Sequence, residues 1–167
     1  QERELKETTI NIDGKPIKRI KRELISAYLK DFSIVTLSGN DIEKHAKDIR
    51  DIIQSLMALE IIEQTKNKIV TQDFLNLREV SLNDLIRKMD IISRAMIGDL
   101  VLCLDKDLSA NITQREQDVS RMSYVILRVV RRGLNDPEYA KSIHILPLQL
   151  FELWNIGSQL ELVADQI

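Results

Sequence analysis

The chain has 167 residues, of which 44% are hydrophobic and 30% are charged, so it can bury a core under a solvated surface. Aromatic residues make up only 4%, with five glycines and three prolines, which argues against an all-β sandwich and against disorder. The net charge of −2 gives the chain as a whole no electrostatic reason to bind nucleic acid or an anionic membrane.

The first half alternates short β-like and helical patterns. Polar turn residues separate the segments, and Asp41 stands where an N-cap of the second helix is expected. The predicted strands and helices are 8–12 (strand), 15–30 (helix), 32–37 (strand), 41–58 (helix), and 60–65 with 68–72 (a hairpin around Lys66 and Asn67). The order βαβαββ predicts a small sheet with helices on one face, as a module of residues 1–76.

Beyond Ser81 the β signals end, and apolar residues recur every three or four positions, as in amphipathic helices. Ser81 is the expected cap of a helix to Cys103, a second helix is expected from Asn111 to Gly133, and a third from Pro147. Residues 77–167 therefore predict an antiparallel three-helix bundle. The expected fold class is α+β, with the βαβαββ module followed by this bundle.

Features of secretion and of catalysis are missing from the sequence. No signal peptide is visible, and no uncharged apolar run approaches the ~18 residues of a membrane span, so a cytoplasmic protein without membrane insertion is expected. Cys103 is the single cysteine and lies in an apolar stretch, which favours a buried structural thiol. His45 and His144 have no nearby Ser or Cys partner, and the glycines form no phosphate-binding loop, so we expect no enzyme.

Basic residues cluster on two predicted helices. Lys15, Lys18, Arg19 and Arg22 form a stripe on the first helix, and Arg128 lies near the end of the second bundle helix. A solvated face, or a complement to the helix dipole, is a sufficient structural reason for such cations. The alternative is that these five residues contact an anion.

Glu161 and Asp165 are four residues apart, so both carboxylates project from one face of the third bundle helix. Oxygen ligands at this spacing can hold a divalent metal ion, although such pairs are also common on solvated faces.

Three segments of the bundle resemble, in order, the helix motifs of PhoU-like phosphate-uptake regulators. The first is Arg-Lys-Met-Asp-Ile-Ile-Ser-Arg-Ala-Met at 87–96, the second is Arg-Glu-Gln-Asp-Val-Ser-Arg at 115–121, and the third is Leu-Glu-Leu-Val-Ala-Asp-Gln at 160–166. In the first half, residues 27–32 and 59–65 resemble the α+β region that precedes the bundle in archaeal-type members. The resemblance covers nearly the whole chain.

This resemblance implies a regulator of phosphate uptake or phosphate signalling that acts through protein contacts. By position it assigns Glu116, Glu161 and Asp165 as ligands of a divalent metal or of iron. Ser120 and Gln166 depart from the motifs, which usually have Asp and His at these positions.

Several expectations about partners accompany this resemblance. A phosphate transporter or a signalling component is an expected partner, and one interpretation is that the chain is part of a transcriptional regulator. The swapped-hairpin DNA-binding domain and the second three-helix repeat of the family are not found in these residues, so DNA contact would need a domain absent from this chain. An open sheet edge and an uncovered bundle flank predict a homodimer. The alternative function is a small-ligand or metal-binding sensor unrelated to phosphate.

Overall fold

The computed structural model describes residues 6–102 and 108–167 and divides the chain into two compact units, Gln1–Leu75 and Asn76–Ile167. A four-stranded mixed sheet lies in the first unit and several helices form the second, which confirms the α+β class. Cys103, the subject of one prediction, lies outside the described residues. Among the residues described, no helix is long and apolar enough to cross a membrane.

The first unit contains four strands and two helices. Their order is β1 (Glu7–Asn11), α1 (Ile17–Leu29), β2 (Ile34–Ser38), α2 (Ile42–Gln54), β3 (Leu59–Thr65) and β4 (Lys68–Asp73). The sheet order is β1-β2-β4-β3, with β1 parallel to β2 and β4 antiparallel to both of its neighbours. The predicted hairpin is therefore confirmed as β3 and β4, and β1 and β3 are the edge strands.

Alternation along the strands separates a buried face of the sheet from a more exposed one. Val35 and Leu37 of β2 are fully buried, and their partners on β4 are Thr71 and Ile69, which are also fully buried. Helices α1 and α2 contact each other and bring their own buried residues to this core: Ile20, Leu24, Ala27, Tyr28, Ile49, Ile52 and Ile53.

Helix α2 differs from the prediction at both of its ends. Asp41 precedes α2, but its side chain makes no cap hydrogen bond, and instead Oδ2 accepts from the backbone N–H of Gly14 at 2.9 Å. A second hydrogen bond joins the same two turns, in which Oδ1 of Asp13 accepts from the backbone N–H of Asp41 at 3.2 Å. The predicted helix end at Ala58 is also wrong: α2 stops at Gln54, and Ala58 adopts a φ of 59°, which no right-handed helix contains.

The second unit contains α3 (Leu82–Leu102), α4 (Ser109–Asn135), α5 (Pro137–Ser142) and α6 (Pro147–Asp165), and α3, α4 and α6 contact one another pairwise. Ser81 caps α3 as predicted, because its Oγ accepts from the backbone N–H of Asp84 at 3.3 Å. Helix α6 begins at Pro147, also as predicted.

The predicted end of α4 at Gly133 is wrong, because α4 continues to Asn135. Gly133 is buried, and a Cβ added to it would lie 2.5 Å from Cδ1 of Leu150 on α6. This glycine therefore permits a close approach of two helices and does not terminate one. The short helix α5 is additional to the three helices that the sequence predicts for this unit.

An N-terminal cap and two contacts of Tyr139 hold α5 in place. Asp136 caps it by accepting from the backbone N–H of Tyr139 at 3.0 Å. The buried Tyr139 hydroxyl donates to the carbonyl of Leu77 at 2.8 Å, and the guanidinium of Arg132 lies 4.7 Å from the centre of the Tyr139 ring. These contacts hold the segment before α3 against α5 within the second unit.

Candidate functional site

Acidic side chains from α4 and α6 come together in the second unit. Glu116 lies on α4, and Glu161 and Asp165 lie one turn apart on α6. We refer to these three residues as the carboxylate cluster. The structure places these three residues, which the resemblance selected from two separate segments, near enough for the charges of Asp165 and Glu116 to act on Glu161.

The pKa values reveal how these groups interact. Burial, followed by the charges of Asp165 and Glu116, raises the pKa of Glu161 above its ordinary value. The pKa of the Tyr124 hydroxyl is raised as well, by burial and then by the charges of Glu161 and Glu116. The charges of Glu116 and Asp165 therefore oppose the ionisation of Glu161.

Two side chains on α4 complete the surroundings of the cluster. Ser120, at the position where the family motif usually has Asp, donates its hydroxyl to Oε1 of Glu116 at 3.0 Å. Tyr124 was not selected from the sequence. Its spacing of four from Ser120 and eight from Glu116 places all three on one face of α4, and this periodicity could have identified it.

A metal centre requires more than acidic side chains that lie near one another, because the ligand atoms must converge on the ion. In residues 6–102 and 108–167, no group of three or more His, Cys, Asp or Glu side chains is placed to hold a metal ion. Hard cations need several oxygen ligands that converge on one point, and a serine hydroxyl supplies less charge than a carboxylate. A metal at Glu116, Glu161 and Asp165 stays a prediction.

A second candidate site is a groove in the first unit, between α1 and the edge strand β1. It is open on one side, has a volume of about 570 Å³, and is called the basic groove below. Residues that line it include Ile10, Arg19, Arg22, Glu23, Lys30 and Phe32.

Of the cations predicted on α1, Arg19 and Arg22 line the basic groove, whereas Lys15 and Lys18 do not. Glu23 pairs with Lys15 at 2.6 Å and with Arg19 at 2.9 Å. The hydrogen bond from Lys15, aided by Arg19, lowers the pKa of Glu23 against the opposing effect of desolvation.

Two cations of the basic groove have no such partner. In the part of the chain that the structure describes, Arg22 and Lys30 form no ion pair. Lys30 was not selected from the sequence, although its spacing of four from Ser26 and eight from Arg22 places it on the same side of α1.

Arg128 lies away from the surface of this unit, and its contact with an anion stays a prediction. Arg128 is 0% exposed, because α4 directs it into the second unit along with its apolar neighbours Val125 and Val129. The sequence pattern of three nearby arginines resembled a solvated cluster, but only Arg131 of this group is exposed.

No protein-family model, no curated protein and no solved structure matches this chain.

Proposed function

We propose that the protein is a non-enzymatic, PhoU-like regulator of phosphate uptake or phosphate signalling, which acts through protein contacts. The observation that carries the proposal is the carboxylate cluster. Its members come from two of the three segments that resemble the family motifs, and the charges of Glu116 and Asp165 act on Glu161 where α4 packs against α6. Like charges held near one another on two helices cost free energy, and groups perturbed in this way are enriched at functional sites.

The packing of α3, α4 and α6 supports the same proposal. All three motif segments lie on these helices, in the order that the resemblance requires, and each of the helices contacts the other two. An antiparallel three-helix PhoU-like bundle is the finer description that we propose for this unit.

The surface of α6 favours a role in protein contacts. Leu148 is 68% exposed, Phe151 is 54% exposed and Leu162 is 49% exposed, all on the side away from the buried Leu150. Large apolar side chains that recur along one side of a helix are typical of an interaction surface. A transporter subunit, a signalling component or a second copy of this chain fits such a surface.

The test is phosphate uptake in cells from which the gene has been deleted. We expect deletion to raise uptake of radiolabelled phosphate when phosphate is plentiful, and the wild-type gene to restore the restraint. The Glu161→Gln variant should restore it poorly, since it alters the charge of the cluster. The Glu152→Gln variant is the matched control, because Glu152 is an exposed carboxylate on α6 outside the cluster.

Affinity purification from the same cells identifies the partner. We expect a transporter or signalling component to copurify with the wild-type protein and with Glu152→Gln. Uptake that is unchanged by deletion, together with no such partner, would contradict the proposal.

A further inference from the structure

The outer edge of β1 presents backbone groups that are ready to pair. The carbonyl of Lys6 accepts from the N–H of Ser33 at 2.7 Å, and the N–H of Ile12 donates to the carbonyl of Ser38 at 2.9 Å, so these even-numbered residues point towards β2. Backbone groups alternate sides along a strand, and those of the odd-numbered residues Glu7, Thr9 and Asn11 therefore point away from β2. Within the described ranges, no strand pairs with this edge.

The basic groove lies directly beside this edge. Ile10 of β1 and Ala27 of α1 are buried and give the groove an apolar floor, to which Phe32 contributes. Arg22 and Lys30 are exposed on the rim and have no ion pair among the described residues. An open edge strand next to a groove under a helix is the arrangement with which some domains bind an extended peptide by adding it to the sheet.

The charges of the groove select the kind of peptide. Its lining contains three cations, Arg19, Arg22 and Lys30, and one carboxylate, Glu23, which leaves an excess of two positive charges. An acidic segment complements this excess, whereas a basic one would be repelled.

We propose that β1 and the basic groove bind an extended, acidic segment of a partner protein as a fifth strand of the sheet. Its backbone pairs with Glu7, Thr9 and Asn11, and its inward side chains enter the groove, with carboxylates against Arg22 and Lys30. The edge has five residues, or about 17 Å of strand at ~3.3 Å per residue, which suits a segment of similar length.

An extended segment fits these observations better than a free phosphate ion. The rim cations are exposed and long, so solvent screens each of them, and ion pairs of this kind are individually weak. The groove is also far larger than one phosphate and contains apolar floor that an inorganic anion would not use. The backbone ladder supplies the affinity that the rim cations lack.

The proposal is tested by fluorescence anisotropy with the full chain and capped, labelled eight-residue peptides. One peptide alternates Glu and Val, a second alternates Lys and Val, and a third has the Glu/Val sequence with alternate backbone nitrogens methylated. We expect only the unmethylated Glu/Val peptide to bind. Exchange of the two rim cations for Glu (Arg22→Glu with Lys30→Glu) should weaken this binding at least tenfold.

Two further variants distinguish backbone hydrogen bonding along β1 from a general effect of charge. Thr9→Pro removes an outward N–H from an exposed position of an edge strand, where proline is tolerated, and should weaken binding at least fivefold without unfolding the protein. Lys21→Glu is the matched charge control, because Lys21 is exposed on α1 but does not line the groove, and it should leave binding within twofold.

Several outcomes would overturn the proposal. These are no binding of the Glu/Val peptide up to millimolar concentration, equal binding of its methylated form, or displacement of it by inorganic phosphate at constant ionic strength. A dimer in light scattering that Thr9→Pro converts to a monomer would assign the edge to a second copy of this chain instead. Because the proposal concerns the first unit alone, its failure leaves the proposed role in phosphate uptake untouched.

Discussion

Replacement of Gly133 by alanine tests the closest approach between α4 and α6, the two helices that form the carboxylate cluster. The added methyl group would lie 2.5 Å from Cδ1 of Leu150, whereas carbon atoms in contact are ordinarily about 3.5–4.0 Å apart. Leu150 is 0% exposed, so it has little free space into which it can turn. Either Leu150 leaves its preferred conformation or the two helices move apart.

The magnitude follows from two opposing effects. Alanine is better than glycine inside a helix by roughly 0.5–1 kcal/mol. Overpacking of a close-packed core typically costs about 1–3 kcal/mol. We therefore expect Gly133→Ala to reduce the free energy of unfolding of the second unit by roughly 1 kcal/mol, measured by urea denaturation. The chain has one tryptophan, Trp154 on α6, so its fluorescence reports on this unit.

Gly98 on α3 provides the matched control, since an added Cβ there meets nothing within 4 Å. Gly98→Ala should increase the free energy of unfolding by about 0.5–1 kcal/mol through helix propensity alone. In a Leu150→Ala background the contact disappears, and Gly133→Ala should become stabilising as well. If Gly133→Ala stabilises the otherwise unaltered protein as much as Gly98→Ala does, the reasoning from close packing is refuted.

Four other predictions concern the second unit. The raised pKa of Glu161 means that ionisation of this side chain opposes folding. This destabilisation is absent below the ordinary pKa of glutamate and complete above the raised pKa. Glu161→Gln should therefore raise the melting temperature at pH 7 but not at pH 4. The gain at pH 7 should stay below about 1 kcal/mol because the side chain is largely solvated, and an equal gain at both pH values would contradict this. Tyr139→Phe leaves the Leu77 carbonyl without its donor and should cost about 1–2 kcal/mol in urea denaturation; a loss under 0.3 kcal/mol would argue against a role for this bond. Light scattering at micromolar concentration should show a homodimer, and Phe151→Glu, which places a charge on the exposed apolar side of α6, should convert it to a monomer. A monomeric wild-type protein would contradict the predicted dimer. Elemental analysis of the purified protein tests the metal site that the resemblance implies: bound divalent metal or iron that Glu161→Gln lowers would support the site, and no bound metal in the wild-type protein would remove it.

Local sequence signals predicted the elements whose formation depends on neighbours in the chain. The β3 and β4 hairpin follows from two β-like runs around a short polar turn, and the starts of α3 and α6 follow from Ser81 and Pro147. Helix ends were predicted less well. Ala58 adopts a positive φ at the turn before β3, and nothing in its residue type indicates this conformation.

The residues of the carboxylate cluster and of the basic groove were predicted only in part, because residue spacing describes one helix at a time and not how helices and strands pack. Spacing alone placed Glu161 and Asp165 on one face of α6, and the family resemblance added Glu116. The proximity of Glu116 to the other two depends on how α4 packs against α6, which the spacing on either helix does not contain. The spacing on α1 predicted a basic stripe, but only the position of β1 shows which of its cations line a groove.

Helix α6 shows most clearly where sequence stops determining structure. Its apolar residues occur on nearly every side, so their spacing does not select a buried side, and Trp154 and Val163 are 38% and 42% exposed. The side that is actually buried follows Leu150, Gly157 and Ala164, at intervals of seven residues. Small residues at the last two positions let α4 approach, as the 3.1 Å between an added Cβ on Gly157 and Cδ1 of Ile126 indicates. The sequence by itself determined that α6 is an apolar helix, and only the packing against α4 decided which side is buried and which large apolar side chains are left for a partner.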